Sequence, residues 1–532
     1  MIQFIVIYIY KKVLKTFTSD LLPRKATMFK TPFKAALFLA FSVTVTLQAK
    51  NTAPLNIWIM PNGASPKEAL EKNLAEFTKK TGIPTNIQIL DWGEAWNKIS
   101  ITLKDGKDLP DIIQLGSTWI PYFAIRGEIK PLNYMLKDID STRFVPVSWN
   151  STHMENDTNI YSIPWFMDVR TLLCNNKILA QNGISKESVS TIEGFRKAIK
   201  TINDSKQTLE DGTKIHGFMF PGKSDWNIPH NFSPWIWGYG GDLVQKDSSG
   251  KWHAGILSKE TLLGISTYLN FIFDSLVDSH TLQYNTAQVA QQFNNGELGF
   301  IVNTSEIIMQ THFKESEGGL LGSPIESDGV SILQMPSGPE GNFSFVGGSN
   351  LAIPAANKRP EANQLLLFLT SDKVIDQYTK QIGFLPPSKN ILESWALDEN
   401  YRELIEISNN AISYKSIPEW SDLEMVFVSL FTAILEQIET PALYSEEKLY
   451  QILVQYTKEI NHRLDYDSKD IMNYEDFHKI WEPAIHTFKE DSTKETPTTN
   501  HIQNNLRIAP WIFIIMILFS FTYSYKRKRK NK

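Results

Sequence analysis

Six of the 14 tryptophans, Trp92, Trp119, Trp165, Trp226, Trp235 and Trp237, fall in segments that read as loops. Asp91, Glu94, Asp168, Arg170, Asp225 and Asn227 stand beside them, and Asn62, Ser117 and Thr118 add an amide and two hydroxyls. An indole offers an apolar face, and planar polar groups match vicinal hydroxyls. The set therefore suits a ring with one C–H face and a hydroxylated rim, which is the chemistry of a pyranose. Core packing competes for every one of these tryptophans. Trp165, directly after Pro164, is the leading candidate for a stacking platform, and Trp165→Ala is expected to weaken ligand binding more than about tenfold. Trp58 and Trp252 read as packing residues. Glycoside hydrolysis needs two placed carboxylates, and the abundance of Asp and Glu leaves that chemistry open.

Other constellations are weaker. Gly347, Gly348 and Ser349, followed by Asn350, lack the glycine spacing and the lysine of a phosphate cradle, and read as a close approach of backbone to a ligand or hinge. The 10 histidines form no His-Glu-x-x-His helix. The single Cys174 allows no intramolecular disulfide and no cysteine-based metal site, and reads as a small buried hydrophobe. No catalytic residue, metal or cofactor is assigned.

The elements that must position these residues alternate. Asn56–Met60 reads as a strand, Pro66 opens a helix with Leu70, Leu74 and Phe77 on one face, and Gly82 ends it. Ile87–Leu90 reads as a second strand, Trp96, Ile99 and Leu103 have helical spacing, and Leu109–Leu115 reads as a third strand. Near-continuous apolar strands alternating with helices predict an α/β fold with a mostly parallel sheet, in which ligands bind beyond the carboxyl ends of the strands. Asn62, Asp91–Glu94 and Gly116–Trp119 occupy those ends. Further strands are predicted over 298–302 and 345–354, a helix over 360–369, and helical periodicity from Ser421 to Leu464.

The chain of 532 residues has 53 Lys and Arg against 58 Asp and Glu, for a formal charge of -5. With 42% hydrophobic residues the bulk folds into a core, and the balance of charge argues against nucleic acid as a partner. Met28–Lys34 precedes an apolar run, Ala35–Leu47, of about 13 residues, then Gln48 and Ala49, the pattern of a secretory signal. Cleavage after Ala49 and an uncleaved anchor both stand, as do Met1 and Met28 as starts. No cysteine follows closely enough for lipid attachment. Ile508–Tyr525 carries no charge, spans roughly 27 Å as a helix, and precedes Lys526–Lys530, so it reads as a transmembrane helix with the C-terminus in the cytoplasm. The polar stretch before it reads as a tether.

Taken in order, the segments resemble one family. Leu109–Ile113, Ile120–Leu132, Tyr161–Asn175, Phe293–Phe300, Gly347–Pro354 with Glu361 and Ala362, and Gly383–Pro387 are similar to motifs of the extracellular solute-binding proteins of ABC importers, in the carbohydrate-binding family 1 that includes maltose-binding protein. Cys174 stands where the family usually has Tyr. The resemblance implies a periplasmic-binding-protein-like fold of two α/β lobes joined by a hinge, crossing over near residues 160, 285 and 350 and closing on a mono- or oligosaccharide that is delivered to an ABC permease. It places Trp165 at a lobe junction where binding residues are common. The organisation expected is an upstream extension and signal over 1–49, lobe 1 over 50–160, lobe 2 over 161–284, a return to lobe 1 over 285–350, lobe 2 and C-terminal helices over 351–488, a tether over 489–507, a span over 508–525 and a basic tail over 526–532. A sugar-sensing receptor subunit and a carbohydrate-active enzyme are the competing readings.

Overall fold

A computed structural model describes residues 53–222, 225–397, 399–467 and 471–486. The expected export segment (1–49), tether (489–507), span (508–525) and basic tail (526–532) lie outside the described residues. Among the described residues, no helix is long and apolar enough to cross a membrane. The strands formed there are β1 (Leu55–Ile59), β2 (Thr85–Ile89), β3 (Ile112–Gly116), β4 (Ile163–Asn175), β5 (His216–Phe218), β6 (Val244–Lys246), β7 (Trp252–Ala254), β8 (Leu298–Thr304), β9 (Val330–Leu333) and β10 (Val346–Ala352). The chain divides into two compact units. Unit 1 takes the described residues of Met1–Val169, Thr304–Ser323 and Val346–Ser421; unit 2 takes those of Arg170–Asn303, Pro324–Phe345 and Asp422–Lys532.

In unit 1, β1 pairs in parallel with both β2 and β3. Two helices make the connections, and their ends are set by local chemistry. Pro66–Thr81 begins with proline, whose missing N–H costs nothing in the first turn, and stops at Gly82, where φ is 74°. Its stripe of Leu70, Leu74 and Phe77 is buried. Trp92–Asp105 is capped by the Asp91 carboxylate, which accepts from Gly93 N at 2.9 Å, and stops at Gly106 with φ 64°. Ile99 and Leu103 of this helix pack with Trp58, Leu115, Trp119 and Phe123 in one core cluster. The expected mostly parallel sheet is instead mixed, because β10 lies antiparallel between β3 and the Ile163–Val169 part of β4.

In unit 2, the remainder of β4 pairs antiparallel with β9, and β8 lies beside β4 and parallel to β5. The core is aromatic: Phe195, Phe218, Trp235, Phe271 and Phe300 meet edge to face or stacked at centroid distances of 5.2 to 6.1 Å. The helix Tyr474–Ala484 buries Phe477 and Trp481, and the Trp481 Nε1 donates to the Tyr444 hydroxyl at 2.6 Å.

The chain changes unit at 169/170, 303/304, 323/324, 345/346 and 421/422, where crossings were expected near 160, 285 and 350. Residues 346–421, mostly expected in the second lobe, belong to unit 1. The reason is pairing: β10 takes hydrogen bonds from strands of unit 1 on both sides, and the helix Asp372–Ile382 packs on Pro66–Thr81.

Two expectations follow from these contacts. Gly63 has φ 61°, and a Cβ there would lie 1.8 Å from Ile382 O, whereas Gly82, with φ 74°, faces open space. Gly63→Ala should therefore destabilise by more than about 3 kcal/mol, and Gly82→Ala only by about 1–2 kcal/mol, from backbone strain alone. Denaturant unfolding of the two variants measures the difference, and equal losses would refute the packing at Gly63. Burial pushes the Cys174 thiol up to about 11, so at pH 8 the native protein should react with a thiol reagent roughly a hundredfold more slowly than the unfolded chain. Equal rates with and without denaturant would contradict its burial.

Candidate functional site

Because β1, β2 and β3 are parallel, their carboxyl ends meet at one edge of unit 1, bringing Asn62, Asp91, Trp92 and Ser117–Trp119 to the same edge. Asn62 is buried in an amide network. Its Nδ2 donates to Gln114 Oε1 at 3.0 Å, Gln114 Nε2 donates to Asn62 Oδ1 at 3.2 Å and to Ser349 Oγ at 2.8 Å, and Met60 N donates to Gln114 Oε1 at 3.0 Å. Asn62 and Ser349 were read from the sequence; Gln114, which joins them, was not. Its signal was one polar residue inside the apolar strand Ile112–Leu115.

Trp92 is the exposed aromatic of this edge, with 41% of its surface open. Its Nε1 donates to Pro61 O at 2.8 Å, and its ring stands edge-on to Trp119 at 5.9 Å and 72°. Trp119 is itself buried, packed edge-on against Trp96 at 5.2 Å. The two indoles thus divide the work: Trp119 anchors and Trp92 faces solvent. The carboxylates of Asp91 and Glu94 are exposed on the same first turn.

Gly347 and Gly348 line a small recess with Ser117, Ser148, Ser151, Phe166 and Asn350, about 10 Å³ for a water-sized sphere. Gly348 has φ 141°, and a Cβ on it would lie 2.3 Å from Phe166 O. The close approach expected at this pair is therefore to the backbone of β4.

Trp165 is a correction. The expected platform is fully buried, stacked on Tyr378 at 4.4 Å and 9°, and offers no face to solvent. The cause is its strand: β4 is interior, with Ile163–Met167 buried throughout. Burial raises the Tyr378 hydroxyl well above the usual phenol range, with Asn62 beside it. Asp168 is half-buried and lies opposite Gly347 in the β4–β10 register.

Unit 2 holds a second cluster. The buried Arg170 donates from Nη2 to Asn227 Oδ1 at 2.6 Å. Asn227 N donates to Asp225 Oδ1 at 2.7 Å, and Thr286 donates to both Asp225 oxygens, from N at 2.6 Å and from Oγ1 at 2.9 Å. Trp226, between Asp225 and Asn227, is 41% exposed. His230 stacks on Phe345 at 4.2 Å and 7°, and burial together with the Arg170 charge pushes its pKa well below the imidazole range, keeping it neutral.

Trp235 and Trp237, expected in a loop, are corrected as well. Residues Ile228–Gly238 form a helix that is buried on every side despite Pro229 at its start and Pro234 within it. The prolines signalled a loop; close packing on Lys259–Phe273 overrides them, with Gly264 admitting Ile236, which a Cβ would approach to 2.5 Å. Trp235 joins the aromatic core, and Trp237 Nε1 donates to Asp242 Oδ1 at 3.4 Å. Among the described residues, no group of three or more His, Cys, Asp and Glu is placed to hold a metal ion.

A family profile described as bacterial extracellular solute-binding protein matches residues 62–375. The diacetylchitobiose-binding protein DasA of Streptomyces coelicolor is 25% identical over 376 residues, 70% of this chain and 81% of that protein. Among solved structures, maltose-bound MalE3 of T. maritima has a TM-score of 0.64 at 21% identity, covering 77% of this chain and 100% of the other. The GacH receptor of Streptomyces glaucescens, solved unliganded and with acarbose, has a TM-score of 0.65 at 20% identity, covering 79% and 100%. These neighbours share the α/β periplasmic-binding-protein-like fold. With a profile match spanning more than half its length and strands that bring Asn62, Trp92 and Trp119 to one edge, the chain belongs to the bacterial extracellular solute-binding protein family.

Proposed function

We propose that this chain is an exported solute-binding protein that captures a carbohydrate by lobe closure and delivers it to an ABC-type permease. The observation that carries the reading is Trp92, an exposed indole braced by Trp119 next to the Asn62–Gln114–Ser349 amide and hydroxyl network. An aromatic face beside planar hydrogen-bonding groups suits a pyranose. Trp226, with Asp225 and Asn227, offers the same pairing of ring and polar groups in unit 2. The relatives support the class of ligand: one is named for diacetylchitobiose, and two neighbours were solved with maltose and with acarbose. Their names describe binding proteins and a receptor, which favours binding over catalysis.

Export through the segment before Lys50 and anchoring through Ile508–Tyr525 complete the proposal. The binding body is then held at the outer face of the cytoplasmic membrane, with Lys526–Lys530 inside. A polar stretch of 489–507 transmits lobe movement poorly, so a leash is favoured over a signalling connector. A ligand bound in the closed state stabilises that state by its differential affinity, and the closed shape is what a permease recognises.

A thermal-shift screen of the purified full chain against mono- and oligosaccharides tests the function, since a ligand specific to the folded state raises Tm. Trp92→Ala should weaken binding of the responding sugar by about tenfold or more with unfolding unchanged, because an exposed stacking ring is worth on the order of 1–3 kcal/mol. Trp165→Ala should instead cost about 3–5 kcal/mol of stability. Calorimetry and denaturant unfolding separate the two, and undiminished affinity in Trp92→Ala would sink the placement. Deleting 508–532 while keeping export should leave a cell-free binding protein with unchanged affinity. Normal uptake with a lost gene response in those cells would favour the sensor reading.

A further inference from the structure

A cation is seldom buried without partners that offset its lost hydration, so the place where one is buried is informative. Arg170 is buried, and it is the first residue of unit 2 after the crossing at 169/170. Phe345 is the last residue of unit 2 before the crossing at 345/346. The two are bonded to each other, Arg170 N donating to Phe345 O at 2.9 Å, and Val169 stands opposite Val346 one step along. The two crossings are therefore neighbouring strands of one ribbon, formed by β4 and β10.

Both residues are tied to one short segment, 225–230. Arg170 Nη2 donates to Asn227 Oδ1 at 2.6 Å, and the Phe345 ring stacks on His230. From Asn227 the bonds continue in one sense. A guanidinium only donates, so the Asn227 oxygen faces Arg170, and the Asn227 Nδ2 is left to donate to Thr286 Oγ1 at 3.3 Å. Thr286 Oγ1 in turn donates to Asp225 Oδ1 at 2.9 Å. A cation opens this chain and an anion closes it, with an amide and a hydroxyl between, so every link is polarised in the same direction. Trp226, exposed on unit 2, sits between Asp225 and Asn227 in the same turn.

We propose that Arg170 is a positioning residue that couples the Trp226 turn to the paired crossings, so that a ligand seated on Trp226 biases lobe closure. The proposal rests on the reading that a carbohydrate is captured at Trp226. A hinge confines its motion to a few residues when those beside it are held. On the unit 2 side those residues are Arg170 and Phe345, and what holds them is the segment that carries the candidate ligand ring. A shift of Asn227 on ligand contact is therefore either shared with Arg170 or breaks a charge-assisted hydrogen bond, the stronger kind. Arg170, expected as a ligand contact, acts through Asn227 instead.

The test is a titration of the full chain in detergent with glucose, N-acetylglucosamine, maltose and diacetylchitobiose. The Trp226 indole N–H resonance reports contact in unlabelled protein. The distance between spin labels at Lys72→Cys and Lys197→Cys, exposed positions in units 1 and 2, reports closure, Cys174 being buried. In the otherwise unaltered chain one sugar is expected to shift the resonance and change the distance over the same concentration range. In Arg170→Met the resonance should still shift, at a sugar concentration higher by roughly tenfold or more, while the change in distance at saturation falls below about half. Thr286→Val, which interrupts the chain of bonds beyond Asn227, gives the same split if Arg170→Met fails to fold. A change in distance undiminished by the substitution overturns the coupling and leaves the proposed function standing. Closure with no shift at Trp226 does the same. Silence of both readouts across the panel in the chain with Arg170 intact overturns the coupling and the carbohydrate reading together.

Discussion

The antiparallel seating of β10 between β3 and β4 is the constraint on which unit 1 depends. The strand arrives late in the chain, and it can lie flush only because Gly348 takes φ 141° with no side chain to meet Phe166 O. Just after it, the register shifts between Ser349 and Asn350. The irregularity re-aims adjacent side chains in a way that regular alternation would not. Ser349 Oγ accepts from Gln114, and Asn350 Nδ2 reaches Ser151 O and Oγ and Ser162 Oγ at 3.0 to 3.2 Å. The amide network at the carboxyl ends of the parallel strands is thus closed by Ser349, 235 positions beyond Gln114 in sequence, a distance that local patterning does not bridge.

The same packing sorts the tryptophans. An indole contributes most to stability when its whole surface is removed from water, and most to recognition when one face stays open. Trp165, Trp119 and Trp235 go to the first use, against Tyr378, Trp96 and Phe271 respectively. Trp92 and Trp226 keep a face open to solvent. Both sit at the start of a helix, next to an Asp whose carboxylate takes backbone N–H groups: Asp91 accepts from Gly93, and Asp225 accepts from Asn227 and Thr286. These side-chain-to-backbone bonds fix the chain locally, so the neighbouring ring is held without being buried.

Much of the fold was legible because its signals are local. Pro66, Gly82 and Gly106 mark helix ends through φ and missing donors, and Leu70, Leu74 and Phe77 mark a face through the 3.6-residue period. Those features reappear in Pro66–Thr81 and Trp92–Asp105. The grouping of the candidate residues was legible in part. Asn62, Trp92 and Trp119 gather at one edge of unit 1, since parallel strands place their carboxyl ends together, and Ser349 joins them from the antiparallel β10. Gln114 was missed, being one polar side chain in a strand whose partners, Asn62 in a loop and Ser349 in β10, lie 52 and 235 positions away. Trp235 and Trp237 were misplaced, since Pro229 and Pro234 speak locally for a loop while close helix packing decides otherwise.

The sequence alone determined what depends on neighbours along the chain: the α/β alternation, the capped helices, the near-neutral charge and the impossibility of a disulfide with one Cys174. Ordered motifs carried the family resemblance as well. Only the tertiary structure decided which tryptophans keep an open face, that the sheet of unit 1 is mixed, and that residues 346–421 belong with unit 1. The physical reason is that burial and strand direction are set by pairing across long sequence separations. Residue type fixes what a side chain can do, and the packing around it fixes whether any surface remains with which to do it.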